Sequence, residues 1–337
     1  MDDRQNHRQE QAYASSSIVS EGKRKKFPWN RLALILIVFG GILFAAGWAG
    51  GSRGGNIFFL DGRLQVRSAQ RGSGATEHDL PAGMGDVRQV QVIATSMNVT
   101  LLPTDTSPRF VVYGGVEPMV TVSGDTLTID TRQQERNVGM QVGIQFNFAT
   151  DRREIRLYLP QKVYNSISLT STSGNVRMEG FTATDVTARS TSGNVRIRDS
   201  VIGNGTMQST SGRVELTDTS IANAELRSTS GNVIIDGGAL TYINASTTSG
   251  NIRIDARVAR AGGHAELRST SGTIRFTGNQ ALRNGSVLYT LQSRSGNVRV
   301  NGERVGSGAH RSINHDASLS FTAVVRTTSG NIHFYYN

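Results

Sequence analysis

The chain has no cysteine, so it can form no disulfide framework, thiolate metal site or cysteine nucleophile. Proline and aromatic residues are also scarce, at six prolines and 7% aromatics in 337 residues, whereas glycine is abundant. That balance argues for one extended body with a short anchor over two globular domains. Histidine occupies no recurring position, which leaves the many serines without the base that a serine nucleophile needs. The Gly-Gly-x-Gly-x-Asp pattern of calcium-binding repeats is missing. Asp199, Asp218, Asp236 and Asp255 shift register between repeats, so no paired acid and base is encoded as in glycosidases. His310, His315 and Asp316 share one long segment and read as loop residues, so neither a metal site nor a cofactor is expected. Lysine occurs beyond residue 26 only at Lys162, and arginine supplies almost all positive charge there.

What is present is a repeat. Ser-Gly pairs fall at 173/174, 192/193, 211/212, 230/231, 249/250, 271/272, 295/296 and 329/330, spaced first by 19 residues and later by 22, 24 and 34. A fixed period of this length denotes stacked units. Counted from each glycine, positions −7 and −5 are mostly apolar, as at Ile167 and Leu169. Positions +2 and +4 are always apolar, from Val176 and Met178 to Ile332 and Phe334. Polar residues alternate with them, which is the period of two of a strand with one buried face. Each repeat is therefore two short strands joined at a Ser-Gly corner, and one coil cannot bury its apolar side without neighbours. The predicted fold is all-β: a parallel β-solenoid (β-helix) of about 19-residue coils, preceded by one transmembrane helix. The hydroxyls at Ser171, Ser190, Ser209, Ser228, Thr247, Ser269, Ser293 and Thr327 fall in the inward register and read as corner packing. Asn175, Asn194, Asn232, Asn251, Asn297 and Asn331 follow the glycine, and their side chains are expected to hydrogen-bond to one another from coil to coil. Phe334-Tyr335-Tyr336 is expected to form a free C-terminal edge, and an uncovered parallel edge can pair with a second copy.

Residues 1–30 form a polar, basic tail expected to be disordered and cytoplasmic, ending in Lys23-Arg24-Lys25-Lys26 and Trp29. A membrane-spanning helix is expected over 31–51, because Leu32 to Gly51 runs without a charge and is long enough to cross a bilayer. Basic residues on its N-terminal side predict an N-terminus in the cytoplasm and a solenoid outside, in a single-pass protein of a bacterial cytoplasmic membrane. A cleaved signal peptide is the competing reading, because Gly47-Trp48-Ala49 resembles a small-residue cleavage site.

Residues 52–86 read as a linker with an apolar island at Asn56-Ile57-Phe58-Phe59-Leu60, and 87–165 as irregular first coils before the regular array of 166–337. Ser96-Met97-Asn98-Val99 looks like a repeat with Met in place of Gly, and Ser123-Gly124-Asp125-Thr126-Leu127 like a second divergent copy. The order Asn-Val-Thr-Leu, Val-Ser-Gly-Asp-Thr-Leu-Thr-Ile, Ile-Arg-Leu-Tyr-Leu-Pro and repeated Thr-Ser-Gly-Asn-Val resembles the bacterial putative-adhesin family of unknown function, which includes LiaG-like membrane proteins. The resemblance covers about residues 87–337. It implies a β-solenoid outside the membrane and an adhesin label, with no catalytic residues to carry over.

Position +3 holds Arg177, Arg196, Arg253, Arg275 and Arg299, interrupted by Glu215 and Ile234 and ending at His333. Position −4 holds Arg189, Arg227, Arg268 and Arg326 among neutral residues. Stacking predicts two basic stripes flanking the corner, suited to phosphate or carboxylate groups. Of the formal charge of +10, residues 1–53 contribute eight basic and four acidic side chains, leaving +6 for the rest. The bland alternative is that these arginines keep an exposed face soluble. The expected role is thus a binding or scaffold module of the cell envelope, contacting the bilayer through 31–51 and an anionic cell-wall polymer or envelope protein outside. Nucleic acid is not expected as a partner. An envelope-stress signalling accessory and a polysaccharide-active enzyme are the other readings.

Overall fold

The structure, a computed structural model, describes residues 55–60, 63–68, 75–80, 84–114, 117–132, 153–258, 262–278, 287–306, 308–313 and 321–336, with backbone alone at 55–60, 63–68 and 308–313. The tail at 1–30 and the span expected at 31–51 lie outside the described residues. No helix among the described residues is long and apolar enough to cross a membrane. Contacts divide the chain into two units, Met1–Ala69 with Ile144–Ala149, and Gln70–Gly143 with Thr150–Asn337. In the first, Gly55–Leu60 pairs antiparallel with Arg63–Ser68. The second is an all-β solenoid.

Each regular coil has a long strand, the Ser-Gly corner and a short strand. Thr182–Ser190 and Val195–Arg198 are typical. Long strands stack parallel in exact register, Ala188 on Leu169 and on Met207, and short strands do the same, Ile197 on Met178 and on Leu216. Pairing skips Thr184 and its equivalents, so the long strand bends and brings Ala183, Ile202, Ile221 and Leu240 inward from a third side. The inward rows at −7, −5, +2 and +4 are the core. Ile167, Leu169, Val195, Ile197, Leu226 and Ile254 are fully buried. Where the −7 row has Gly205, Ile221 and Met207 fill the space a side chain would take.

The corner is closed by one hydroxyl. Ser209 Oγ accepts from the Gly212 N–H (2.9 Å) and donates to the Gly193 carbonyl of the coil before (2.8 Å). The same pair of bonds recurs at Ser171, Ser190, Ser228 and Thr247. Because consecutive corners approach so closely, a Cβ at Gly212 would lie 2.1 Å from the Gly193 oxygen. The glycine is required by this approach. The asparagine ladder makes the expected amide-to-amide bond at one step, Asn175 Nδ2 donating to Asn98 Oδ1 at 3.2 Å, but elsewhere backbone donors take the amide oxygens: Asn194 N–H donates to Asn175 Oδ1, and Arg213 N–H to Asn194 Oδ1, each at 2.8 Å. Side-chain carbonyls thus satisfy backbone donors at a corner where the ladder is interrupted. Met97 occupies a corner position, its carbonyl accepting from Ser171. Ser123-Gly124, however, is a hairpin turn between Met119–Ser123 and Thr126–Asp130, with Gly124 at φ +60°. Leu127 and Ile129 accordingly belong to the long-strand face, pairing with Val90 and Val92.

The stack does not follow chain order at its ends. Phe321–Ser329 lies between His264–Ser269 and Val287–Ser295, and Ile332–Tyr335 between Ile274–Gly278 and Val298–Val300. The last coil in sequence is therefore the penultimate one in space, and the expected free edge at Phe334-Tyr335-Tyr336 does not exist. Phe276 stacks on Phe334 at 5.0 Å, and Tyr289 lies 5.2 Å beyond it. The other end is built alike, with the coil of Gln89–Ala94 and Asn98–Thr104 enclosed by the later coil of Thr126–Asp130 and Glu154–Pro160. Antiparallel returns cover both outer coils: Met119–Ser123 and Arg109–Tyr113 at one end, Gly308–Ile313 and Glu303–Gly306 at the other. Such short returns blunt edge pairing.

Substituting the corner tests this account. Gly212→Ala should destabilise by about 3 kcal/mol or more, since the added methyl meets backbone that cannot swing away. Ser209→Ala should cost about 1–3 kcal/mol by orphaning a buried donor and acceptor. Gly85→Ala, with open space around it, is the control. Thermal unfolding of the three variants should rank them in that order.

Candidate functional site

Outward side chains of the short strands form one column, one residue per coil. Its order in space is Arg177, Arg196, Glu215, Ile234, Arg253, Arg275, His333 and Arg299. The antiparallel return then places Arg304 directly opposite Arg299. At the N-terminal side the arginines are neutralised. Arg177 bonds Glu179 at 2.7 Å, and Arg196 bonds Glu215 at 3.0 Å, with Arg213 at 3.8 Å. Still further out, Arg156 is tied to Glu154 and covered by the Tyr113 ring. From Arg253 onward no carboxylate partner is found among the described residues, and Arg253, Arg275, His333, Arg299 and Arg304 run across five adjacent strands.

The predicted stripe is thus half neutral and half charged. The sequence reading missed His333 as a member between two arginines, and Arg304 altogether. Both misses have one cause, the order of the terminal coils and the return strand beyond them.

The column at −4 runs Thr170, Arg189, Gln208, Arg227, Ser246, Arg268, Arg326 and Gln292. Arg227 pairs with Glu225 and Arg268 with Glu266 on the same strands. Arg189 stands between uncharged neighbours, and Arg326 lies directly beside Arg268. Ser190, Ser209 and the other inward hydroxyls are buried in the corners, while Thr172, Thr191, Thr210 and Thr229 are exposed. Among the described residues no group of three His, Cys, Asp or Glu side chains could hold a metal ion. His315 and Asp316 lie outside them.

A family model, Toastrack DUF4097, matches residues 87–334. The chain belongs to the Toastrack DUF4097 family. The match coincides with the solenoid and its two end caps, and the resemblance to the putative-adhesin family holds with it. Among solved structures, the chain is similar to a putative adhesin from Bacteroides fragilis, at 17% identity and TM-score 0.42, covering 77% of this chain and 96% of that one. A putative adhesin from Parabacteroides distasonis gives 12% identity and TM-score 0.40 over the same shares. A protein from that organism named as a putative lipid binding protein gives 14% and 0.35, again over 77% and 96%. No curated protein matches the chain.

Within the Toastrack domain His333 is the titratable member of the cation column. Partial burial, then Arg299 and Arg275 on the flanking strands, hold its pKa below the ordinary imidazole value. In the window between that lowered pKa and the unfolded value the unfolded chain binds more protons, so stability falls as pH drops through it. An anion seated against this column would oppose the arginine charges and raise the affinity of His333 for a proton. Anion affinity of the Toastrack domain should therefore rise several-fold on going from about pH 7 to about pH 5, with proton uptake. His333→Gln should flatten that dependence; calorimetric titration in buffers of different ionisation enthalpy measures both.

Proposed function

We propose that this chain is an adhesin-like binding module of the bacterial cell envelope, anchored in the cytoplasmic membrane through 31–51, with the solenoid on the outer side contacting anionic polymer. The observation that carries the reading is the column Arg253, Arg275, His333, Arg299 and Arg304, which no carboxylate neutralises among the described residues. Strand spacing sets these side chains about 4.8 Å apart in one line, a geometry for repeated anionic groups along a chain. Guanidinium forks suit phosphate and carboxylate oxygens, and several weak contacts on one rigid face add multivalently. The anchor rests on the uncharged run after Arg31 and the basic residues before it. The names of the similar structures agree with a binding role.

The arginines of the neutralised half fit the solubility role. Arg177 and Arg196 spend their charge on Glu179 and Glu215, and exposed pairs of this kind contribute little net energy.

Full-length protein in nanodiscs of uncharged lipid should bind isolated cell wall and purified anionic wall polymer, and should lose affinity steeply with salt. Replacing Arg253, Arg275, Arg299 and Arg304 by Ser should weaken binding by at least tenfold, whereas replacing Arg177 and Arg196 should change it less than twofold. Equal loss in both variants, or none in the first, would overturn the assignment to this column.

A further inference from the structure

A second basic surface lies on the other side of the corner, on the long-strand face. A groove of about 640 Å³ is lined there by Arg268, Arg326 and Arg294 with the hydroxyls of Thr270 and Thr328. Arg268 and Arg326 are neighbours because the last two coils exchange places: Arg326 pairs in register with Arg268 on one side and with Gln292 on the other. In chain order Gln292 would separate them. Arg294 arrives by a different route. The outward position two before the corner glycine is threonine in every other regular coil, from Thr172 to Thr328, and the outermost coil alone has arginine there. That coil carries Gln292 where its two neighbours have arginine, so its guanidinium is moved two residues along the strand. Arg294 stands level with Thr328, between the register pairs Ser293–Thr327 and Ser295–Ser329.

This arrangement differs in kind from the column on the short-strand face. There the cations stand in one line. Here two lie side by side and the third is one strand farther and two residues along, at spacings of about 4.8 Å across strands and about 7 Å along one. Three long side chains set as a triangle can close on one small group, whereas a row meets groups that repeat. Charge narrows the class of ligand further. Arg268 Nη2 donates to Glu266 Oε1, while Arg326 and Arg294 have no carboxylate partner among the described residues. Three guanidinium charges less one carboxylate leave two, beside the neutral pair Arg227–Glu225. Like charges directly opposite on neighbouring strands repel, so the groove favours an occupant with two negative charges on one group. Among the described residues that line it there is no carboxylate, histidine or aromatic ring, and its guanidinium, amide and hydroxyl groups can all donate hydrogen bonds.

We propose that this groove binds a terminal phosphate, the dianionic group of a phosphomonoester, with Arg268, Arg326 and Arg294 around its three free oxygens and Thr270 and Thr328 donating beside them. A phosphodiester or a carboxylate offers two free oxygens and one charge, and matches the triangle less well. The site is separate from the column of Arg253 to Arg304, and the two respond to pH in opposite directions. The three arginines keep their charge throughout, Glu266 is engaged by Arg268, and no histidine lines the groove. Affinity therefore follows the second ionisation of the ligand, at about pH 6, and falls on acidification.

The test is calorimetric titration of full-length protein in nanodiscs of uncharged lipid, corrected for empty nanodiscs, with the other face silenced by changing Arg253, Arg275, Arg299 and Arg304 to Ser. The probes are glycerol 3-phosphate, dihexanoyl phosphatidic acid, dihexanoyl phosphatidylglycerol and sulfate. Glycerol 3-phosphate should bind roughly tenfold more tightly than the diester phosphatidylglycerol at about pH 7.5. Its affinity should fall about tenfold by about pH 5, as the doubly charged fraction falls, while sulfate, doubly charged at both, should show no such loss. Arg326→Gln and Arg294→Thr, both at exposed positions and checked for an unchanged melting temperature, should each weaken glycerol 3-phosphate by about tenfold. Arg189→Gln, outside the groove, should leave it unchanged. Binding of either glycerol 3-phosphate or phosphatidic acid upholds the terminal phosphate, and the tighter of the two tells a free ester from a lipid. The proposal is overturned by no binding of either at tens of millimolar, by equal affinity for the diester, by unchanged affinity in Arg326→Gln and Arg294→Thr, or by affinity that does not fall with pH.

Discussion

The hydroxyl that bridges two glycines at each corner is the constraint on which the solenoid depends. Ser209 satisfies the N–H of its own corner and the carbonyl of the corner before it, both buried and both without strand partners. Bridging by one short side chain requires the corners to sit almost in contact, and that contact leaves no room for a Cβ at Gly212 or its equivalents. Serine, the bare glycine and the coil spacing are thus one requirement seen from three atoms. The apolar rows at +2 and +4 follow from it, since every corner aims the next strand in the same direction.

That uniformity has a consequence for the ends. Every coil offers the same surface above and below, so Ile332 pairs as well with Ile274 as with Val298, and it does both. The chain uses this freedom by skipping a level after residue 278 and filling the gap with its last coil. The terminal strand is thereby enclosed, and the exposed coil is one whose following residues can fold back as Glu303–Gly306 and Gly308–Ile313. An enclosed Ile332–Tyr335 strand and a covered edge are therefore produced together.

The inward rows, the corner hydroxyls and the all-β class were legible because a period of 19 repeats each position many times. What was not legible arose where identical local patterns admit two structures. Ser123-Gly124-Asp125 has the dipeptide of a corner, yet the alternating Met119–Ser123 before it makes a hairpin, and only the partner strand distinguishes them. Arg268 and Arg326 are 58 positions apart in number and adjacent in space. No side-chain pattern announces that adjacency, because it is decided by how far the connections after 278 and 313 reach. The arginine residues of both stripes could be named, but whether each was neutralised depended on acids two residues away or one coil away, as at Glu179 and Glu215.

Charge and stability meet at the same end of the stack. In a repeat array each coil is held by its neighbours, and an end coil has one parallel neighbour instead of two. The outer coil Val287–Val300 is in that position, and its outward residues Arg294 and Arg299 belong to the two places where positive charge is least compensated. Repulsion between directly opposed cations, about 0.2–1 kcal/mol for each pair, therefore falls on the coil least able to absorb it. Phe276 and Phe334 stack beneath that coil and meet its own Tyr289, which offsets the deficit through buried area and ring contact. Larger rings are concentrated where the repeat elsewhere uses Val, Ile and Leu. An anion bound on either face would remove repulsion from this coil and tighten its closure, so occupation of the charged surface and integrity of the cap are linked through the same strands.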